Sequence, residues 1–588
     1  MSVNVIAADT YSRLLGTRAC WVGLRIFFCH LMHTFTFVLC YPSGMQTWEY
    51  APQYALRTYA YLVPMAALSK MYELILSVLP GSFLGILGRS LSLPYVATKP
   101  LQFCMLRSTL AAMTALSELN LHSALSQTIS PTVAAFFLIA SLSSAGMFHA
   151  APAYLPSAHV MSCWMCSAAA QLRGNDAEAI ALGLVAVQAF GWPFSAVLFV
   201  TTGLWAVWKA AGMQGNKANE SESSPANIGA VVKLLLRTAL HAVIIQIVVM
   251  AIDYVYYGKI VSPIFNIFVY NTKGQGDELY GIEPLSYYVK NLFLNLNFVS
   301  ILGLFALPVI MLKQLLQRDN AFASKMLVIL PMYVWLVIVA PRPHKEERFL
   351  FPIYPMLCAG AGLVVEEVAS VAVCVIGRLI KASPPQAGAK TKHGLAMTAL
   401  IPIVLVSVSR SAALVANYSA PLKAYAHLHD SVIAAEHDEP VATCVGGEWY
   451  RYPSSFYLPP NAHLAFLKSS FGGQLPQPFT EYGSKEKSLT VQKGVFNDMN
   501  EEEVDRYVDI KACSYIIELV GDDDFAGAQV PEGLQYISED GAEKWQQVAH
   551  YNYLNVDRTS SLHRIFYIPI LRDERVAYDK YVIYQRVG

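Results

Sequence analysis

The chain is short of charge. Only 14% of its 588 residues are Asp, Glu, Lys or Arg, against about 25% in a soluble globular chain. That scarcity argues against the roughly four soluble domains that length alone would allow. It also excludes a disordered chain and a coiled coil. An excess of either sign is absent as well, because 42 Lys and Arg balance 42 Asp and Glu. No basic surplus remains to neutralise phosphates, so a nucleic-acid binder is excluded. Cysteine is sparse, at 10 residues, which excludes a small disulfide scaffold. Most of these cysteines lie in apolar runs: Cys29, Cys40, Cys104, Cys358 and Cys374. Cys163 and Cys166 have CxxC spacing but no second pair nearby, and they read as small core residues. Cys444 and Cys513 fall in a polar region and can pair if that region lies in an oxidising lumen.

What the chain has is apolar length. Hydrophobic residues are 55% of it and mean hydropathy is +0.39. Clear runs cover residues 21–39, 103–116, 129–148, 179–207, 228–251, 298–312, 326–340, 349–376 and 395–415, with weaker ones at 56–87 and 154–170. The 179–207 run reads as two, broken at Gly191-Trp192-Pro193. A helix needs about 20 apolar residues to cross the hydrocarbon of a bilayer, so the chain reads as a polytopic α-helical membrane protein of about 10–12 spans. Residues 1–417 form that part. Residues 418–588 carry frequent charge and no spanning run, and read as a C-terminal α+β domain with strands at 514–520, 564–570 and 581–584.

Basic residues fix an orientation. Lys209, Lys217, Lys233 and Arg237 flank one loop, Lys313, Arg318 and Lys325 a second, and Arg378, Lys381, Lys390 and Lys392 a third. Two crossings separate each from the next, so all three fit the cytoplasmic side. Segments 253–297 and 341–348 and the C-terminal domain then face the lumen. The sequon at Asn219 would be cytoplasmic and unused, and the one at Asn417 lies hard against the membrane, where use should be poor. Arg25 interrupts the first apolar run and no small-residue cleavage site follows it, so a cleavable signal peptide is not expected.

One loop defies the charge bias. Pro341-Arg342-Pro343-His344-Lys345-Glu346-Glu347-Arg348 sets three cations, a histidine and two carboxylates between two membrane helices, on the lumenal side. Pro341, Pro343 and Pro352 hold it short and stiff, so its charges are pre-positioned as a site for an anionic group requires. As a solvated anchor at the membrane boundary it would need none of this.

His344-Lys345-Glu346-Glu347-Arg348-Phe349 closely resembles the HKEERF signature of the dolichyl-phosphate-mannose-dependent mannosyltransferases of the endoplasmic reticulum, a GT-C class with many spans and a lumenal active site. Gln46-Thr47-Trp48-Glu49-Tyr50 leading into Arg57-Thr58-Tyr59-Ala60-Tyr61, and Glu448-Trp449-Tyr450-Arg451-Tyr452-Pro453, resemble the α-1,2 subfamily that extends the lipid-linked oligosaccharide for N-glycosylation. The resemblance runs from about residue 44 to the end. It implies an inverting transfer of mannose from dolichyl-phosphate mannose to a dolichol-pyrophosphate oligosaccharide, with no metal or cofactor. α-1,6 transfer on the same oligosaccharide, mannose addition to a GPI precursor, an inactive homologue and a lipid-linked-sugar transporter stand as alternatives. A transporter would show internal repeats, and none is visible.

The chemistry needs a carboxylate to take the acceptor proton and cations to stabilise the departing phosphate. His344, Lys345 and Arg348 are expected at the donor phosphate, with Glu346 and Glu347 orienting those cations. Trp48, Tyr50, Asp277, Glu278, Glu283 and Trp449 are candidates for acceptor binding, the aromatic rings by stacking on sugar faces. Asp253, at a helix end, reads as a cap or a solvated interfacial group. The family's acidic motif precedes the segment matching Gln46–Tyr50, yet Asp9 is the only acid before Glu49. Three explanations compete: an inactive chain, Glu49 or another lumenal acid as substitute base, or a wrong exon assignment for the first forty or so residues. The last is favoured because the match is close after Gly44, and a full-length transcript is then expected to encode an acidic loop just before Ser43.

Overall fold

A computed structural model describes residues 44–78, 98–212, 227–273, 281–379, 386–434, 440–448, 454–469, 472–478, 496–521, 544–570 and 572–587. Most are helical, as the apolar runs require. Ile228–Tyr257, Phe322–Val339, Glu347–Ile376 and Gly388–Tyr418 are long and apolar enough to cross a membrane, and Phe298–Leu304 with Ala306–Gln317, bent by 42°, makes a fifth if the pair is one span. Of the other runs, 103–116 lies within helix Thr98–Thr128 and 154–170 falls mostly in helix Pro156–Leu172, whereas 129–148 and 179–207 are divided, and 21–39 lies outside the described residues. The 179–207 run breaks as its sequence foretells: helix Asp176–Gln188 ends before Gly191, which sits at φ 64°, and Pro193 opens a 3₁₀ stretch that leads into helix Val200–Ala210. Ser130 caps Pro131–Ser143 by accepting from the Thr132 amide, and Pro131 fills the first turn, where no donor is missed. At 13 residues that helix is short of a full crossing.

One apolar core joins Leu121, Phe136, Phe137 and Trp164 to Trp335, Tyr354 and Leu357. Its centre is helix Tyr354–Leu379. A Cβ on Gly303 would lie 2.6 Å from the Leu357 carbonyl oxygen, so only glycine allows these two helices to approach so closely.

Beyond helix Leu400–Tyr418, helix Ala420–Ala434 leads into a five-stranded sheet. Its strands are β2 (Val441–Val445), β3 (Ala462–Phe466), β5 (Tyr515–Val520), β6 (Trp545–Leu554) and β7 (Tyr578–Arg586), in the order β3-β2-β5-β7-β6. β3, β2 and β5 run parallel, and β7 and β6 complete the sheet antiparallel. β2 and β5 are near-continuous apolar runs, as strands covered on both faces must be. Cys444 and Cys513 form a disulfide that ties β2 to the turn before β5. The expected strands at 514–520 and 581–584 fall within β5 and β7. The one at 564–570 is absent: Ser561–Ile565 is helical, and the stretch around Tyr567 docks on helix Leu400–Tyr418. There the Tyr567 amide donates to the Ser409 carbonyl, and Arg410 donates to the Ile565 carbonyl. Those backbone groups are satisfied by the helix, so no ladder forms. Asn417 is buried and accepts a hydrogen bond from Arg572 at 2.6 Å. Asn219 lies outside the described residues.

A two-stranded bridge joins segments far apart in the sequence: β1 (Met45–Gln46) pairs with β4 (Gln477–Pro478). A second core, with Tyr59, Leu101, Phe103, Leu428, Val445, Phe456 and Ile583, fuses the sheet unit to the loop around residue 59 and to helix Thr98–Thr128. The sheet unit is thereby seated against the segment that carries Glu49.

Candidate active site

The loop 341–348 is fastened to segment 281–283. The Glu283 amide donates to the Pro343 carbonyl at 3.1 Å. Lys345 donates to the Glu283 carbonyl at 2.8 Å and to the Arg342 carbonyl. Behind it, the Trp335 indole donates to the Phe349 carbonyl at 2.8 Å. A Pro-bounded loop held at this many points presents its charges at fixed positions.

Those charges sort into two sets. Glu346 gathers two of the expected phosphate ligands: Arg348 Nε lies 2.6 Å from Oε2, Arg348 Nη2 donates to Oε1 at 2.8 Å, and His344 Nε2 lies 2.9 Å from Oε1. His344 Nδ1 is 3.1 Å from the Gly281 carbonyl. Burial opposes protonation of this ring, but the Glu346 hydrogen bond and charge outweigh it, and its pKa stands above the ordinary histidine value. Glu347 faces the opposite way. Its Oε1 lies 2.7 Å from His149 Nε2 and accepts from Asn295 at 3.0 Å, while Asn295 also donates to the Tyr354 hydroxyl. Glu346 thus holds His344 and Arg348, while Glu347 meets His149 and Asn295. Lys345 is buried with its ammonium on the carbonyls of Arg342 in the loop and Glu283 beside it, which makes it a staple of the loop in this structure.

The second wall comes from residues 44–62. Arg57 Nε and Nη2 both donate to Glu49 Oε1, at 3.1 and 2.7 Å. Glu49 and its partner are each about a fifth exposed, with side-chain values of 23% and 20%. Burial alone would lower the Arg57 pKa; the charge and hydrogen bonds of Glu49 hold it above its ordinary value, and the charge of Glu346 adds to this. Arg348 in turn feels Arg57 and Glu49. Two guanidinium groups and two carboxylates therefore share one field, with His344 at its edge. Trp48 packs edge-on to Tyr54 at 5.4 Å and against Tyr270 at 5.6 Å, and keeps partial exposure. Tyr50 is buried against Tyr59 at 5.1 Å, so its ring offers no free face to a sugar. Glu283 lends the site its backbone, with its side chain exposed. Asp277, Glu278 and Trp449 lie outside the described residues, as does the chain before Gly44.

Two residues carry more weight than their sequence suggests. Arg57 stands in the stretch that resembles the family, yet nothing in its pattern points it at Glu49. The two meet because the intervening loop folds back, with the Leu56 amide donating to the Glu49 carbonyl at 2.9 Å. Asp253 is fully buried rather than solvated. It caps a different segment, accepting at Oδ1 from the Thr58 hydroxyl at 3.0 Å and the Tyr59 amide at 2.7 Å.

The arrangement offers guanidinium and imidazole groups to an anion beside a carboxylate that can accept a proton, which suits transfer from a phosphate leaving group. Residues 31–459 match the Alg9-like mannosyltransferase family, a match that begins upstream of Gly44. The chain is 34% identical to human alpha-1,2-mannosyltransferase ALG9 over 559 residues, covering 93% of this chain and 83% of that one. It is 33% identical to the mouse protein of the same name over 558 residues, with the same coverage. Among solved structures it is similar to ArnT from Cupriavidus metallidurans in the apo state, with TM-score 0.48 and 13% identity over 99% of this chain and 97% of that one. The chain belongs to the Alg9-like mannosyltransferase family and is a membrane-embedded glycosyltransferase.

Proposed function

We propose that this chain transfers mannose, with inversion and in α-1,2 linkage, from dolichyl-phosphate mannose to a dolichol-pyrophosphate oligosaccharide on the lumenal side of the endoplasmic reticulum membrane. The observation that carries the reading is that Arg348, His344 and Glu346, set on a stiff loop between two spans, share one field with the Glu49–Arg57 pair of residues 44–62. In the reaction the acceptor hydroxyl loses its proton to a carboxylate, its oxygen attacks the anomeric carbon, and the bond from that carbon to the phosphate oxygen breaks. Arg348 and His344 hold the departing phosphate, with Glu346 fixing their direction. Glu49 is the carboxylate of this field best placed to take the proton, because Glu346 is committed to two cations. Lys345 keeps the loop in the shape that presents them.

The lumenal placement is supported by the charge bias of the loops: Lys313, Lys325 and Lys392, drawn from two of the three basic segments, all reach carboxylates of helix Tyr354–Leu379 far along it from the loop 341–348. Residues 418–588 then form a lumenal domain, which is expected to resist protease in sealed microsomes and to be cut once detergent is added. Cleavage in sealed vesicles would reverse the orientation.

The decisive assay supplies the chain, reconstituted in liposomes, with dolichyl-phosphate mannose and a lipid-linked oligosaccharide, and determines the product linkage. An α-1,2-linked mannose is expected. An α-1,6 product or transfer to a GPI precursor would assign a sister activity, and lipid translocation without transfer would assign a transporter. Glu49→Gln should abolish transfer if Glu49 is the base; full activity would remove it from that role.

A further inference from the structure

We infer that Arg57 is a second phosphate-binding cation of this site, and that Asp253, Tyr257 and Asn266 are the residues that position it. The inference rests on the mannosyl-transfer reading of the same site. The backbone on both sides of Arg57 is gripped from one short segment. Asn266 donates to the carbonyls of Tyr54 and Ala55 at 3.3 and 3.1 Å. The Tyr257 hydroxyl donates to the Arg57 carbonyl at 2.6 Å. Asp253 accepts from Thr58 and from the Tyr59 amide. Asp253 and Tyr257 lie in the last turns of helix Ile228–Tyr257, one turn apart on one face. Asn266 lies in the first turn of Pro263–Thr272.

This is a costly way to hold a loop. Ala55 sits at φ 43°, in the left-handed region that a residue with a Cβ enters reluctantly. Asp253 is a carboxylate with no exposure at all, and burying such a group is unfavourable unless its hydrogen bonds are used. The side chain that this scaffold sets on Glu49 is Arg57. Two of its nitrogens already share one oxygen of Glu49, while Nη1 makes no hydrogen bond among the described residues.

The chemistry gives a second guanidinium a distinct task. The donor's phosphodiester carries one negative charge. As the anomeric bond breaks, the leaving phosphate monoester acquires a second. One cation suffices to bind the donor; the other matters most as that second charge develops. Arg348, fixed by Glu346, holds the phosphate from donor binding through departure, and Arg57 adds most in the transition state and on the dianionic product.

The test uses the full chain in two assays. In transfer, Arg57→Ala should lower kcat about 10²-fold with little change in donor KM, and Arg57→Lys should recover part of the loss. Tyr257→Phe, which removes one hydroxyl and keeps the packing, should lower kcat about tenfold in the wild-type background and add nothing in the Arg57→Ala background. In binding, dolichyl phosphate in detergent micelles should be held at least about tenfold more weakly by Arg57→Ala than by wild type. Equal binding by the two proteins, no binding by wild type, or a Tyr257→Phe effect that persists without Arg57 would overturn the inference. If wild type binds dolichyl phosphate through Arg57 yet transfers no mannose, the transferase reading fails and the phosphate site stands.

Discussion

Charge is used differently halfway along helix Tyr354–Leu379 and in the loops before it. Within the helix, Glu366 and Glu367 are met by lysines from three other helices. Lys313 reaches Glu367 at 2.5 Å, Lys325 lies between Asp319 at 2.7 Å and Glu367 at 3.2 Å, and Lys392 reaches Glu366 at 3.0 Å. Ser130 adds a hydrogen bond to Glu366 from yet another element. Before it, the partners lie within single loops: Glu346 holds His344 and Arg348, and Glu49 holds Arg57. The first set knits helices together with compact ammonium groups, and nothing is left for a ligand to do. The second uses guanidinium forks, which can keep one edge on a carboxylate and turn another to a phosphate. The contrast separates charges that hold the bundle from charges proposed to act, a distinction that composition and hydropathy do not make.

Substitutions can break that contrast. Lys325 is the most enclosed cation of the bundle set, with a side chain 4% exposed. Lys325→Ala should lower stability by about 2 kcal/mol, because it leaves Asp319 with only Lys313, at 3.9 Å, as a cation among the described residues and removes one of the two partners of Glu367. Protein that survives should keep the wild-type donor KM; a thermal midpoint unchanged from wild type would dissolve the distinction. Arg348→Ala should do the reverse, cutting transfer about 10²-fold with normal membrane insertion and an unchanged thermal midpoint. Full activity there would end the phosphate assignment. Lys345→Met tests the staple, since it keeps the buried stem and deletes the ammonium. An intermediate loss of about tenfold is expected from misplacing the loop, whereas a loss matching that of Arg348→Ala would show that the ammonium reaches the phosphate directly. The smallest effect concerns pH. His344 has its pKa raised in the folded chain, so its pairing with Glu346 stabilises fully below the unfolded value of about 6.5 and is lost as pH rises through the folded value. The thermal midpoint of His344→Gln should fall below wild type at pH 6 and converge with it at higher pH. A difference that grows with pH would mean that the ring acts neutral.

Much of the fold was legible because its signals are local. Apolar length marks spans wherever it occurs, and the break at Gly191–Pro193 comes from the backbone limits of those residue types. The β5 and β7 strands show in β-branched and aromatic runs. Residues 564–570 look similar yet form no strand, because helix Leu400–Tyr418 supplies the partners that a neighbouring strand would have supplied. The site divides in the same way. His344, Glu346 and Arg348 could be grouped from sequence because they are neighbours in it, and neighbours on a short stiff loop stay together.

By itself the sequence determined the membrane class and the loop on which the chemistry would be sought. Each is a property of composition over a short window, and lipid and water act on such windows directly. Only the tertiary structure decided where the charges point. It turned Lys345 inward, sent Glu347 to His149, brought Arg57 to Glu49, and set Asp253 against Thr58, a residue 195 positions away. The physical reason is that a buried polar group takes whichever partner the packed backbone brings within about 3 Å, and that choice is made by contacts between segments that no periodicity or spacing along the chain records.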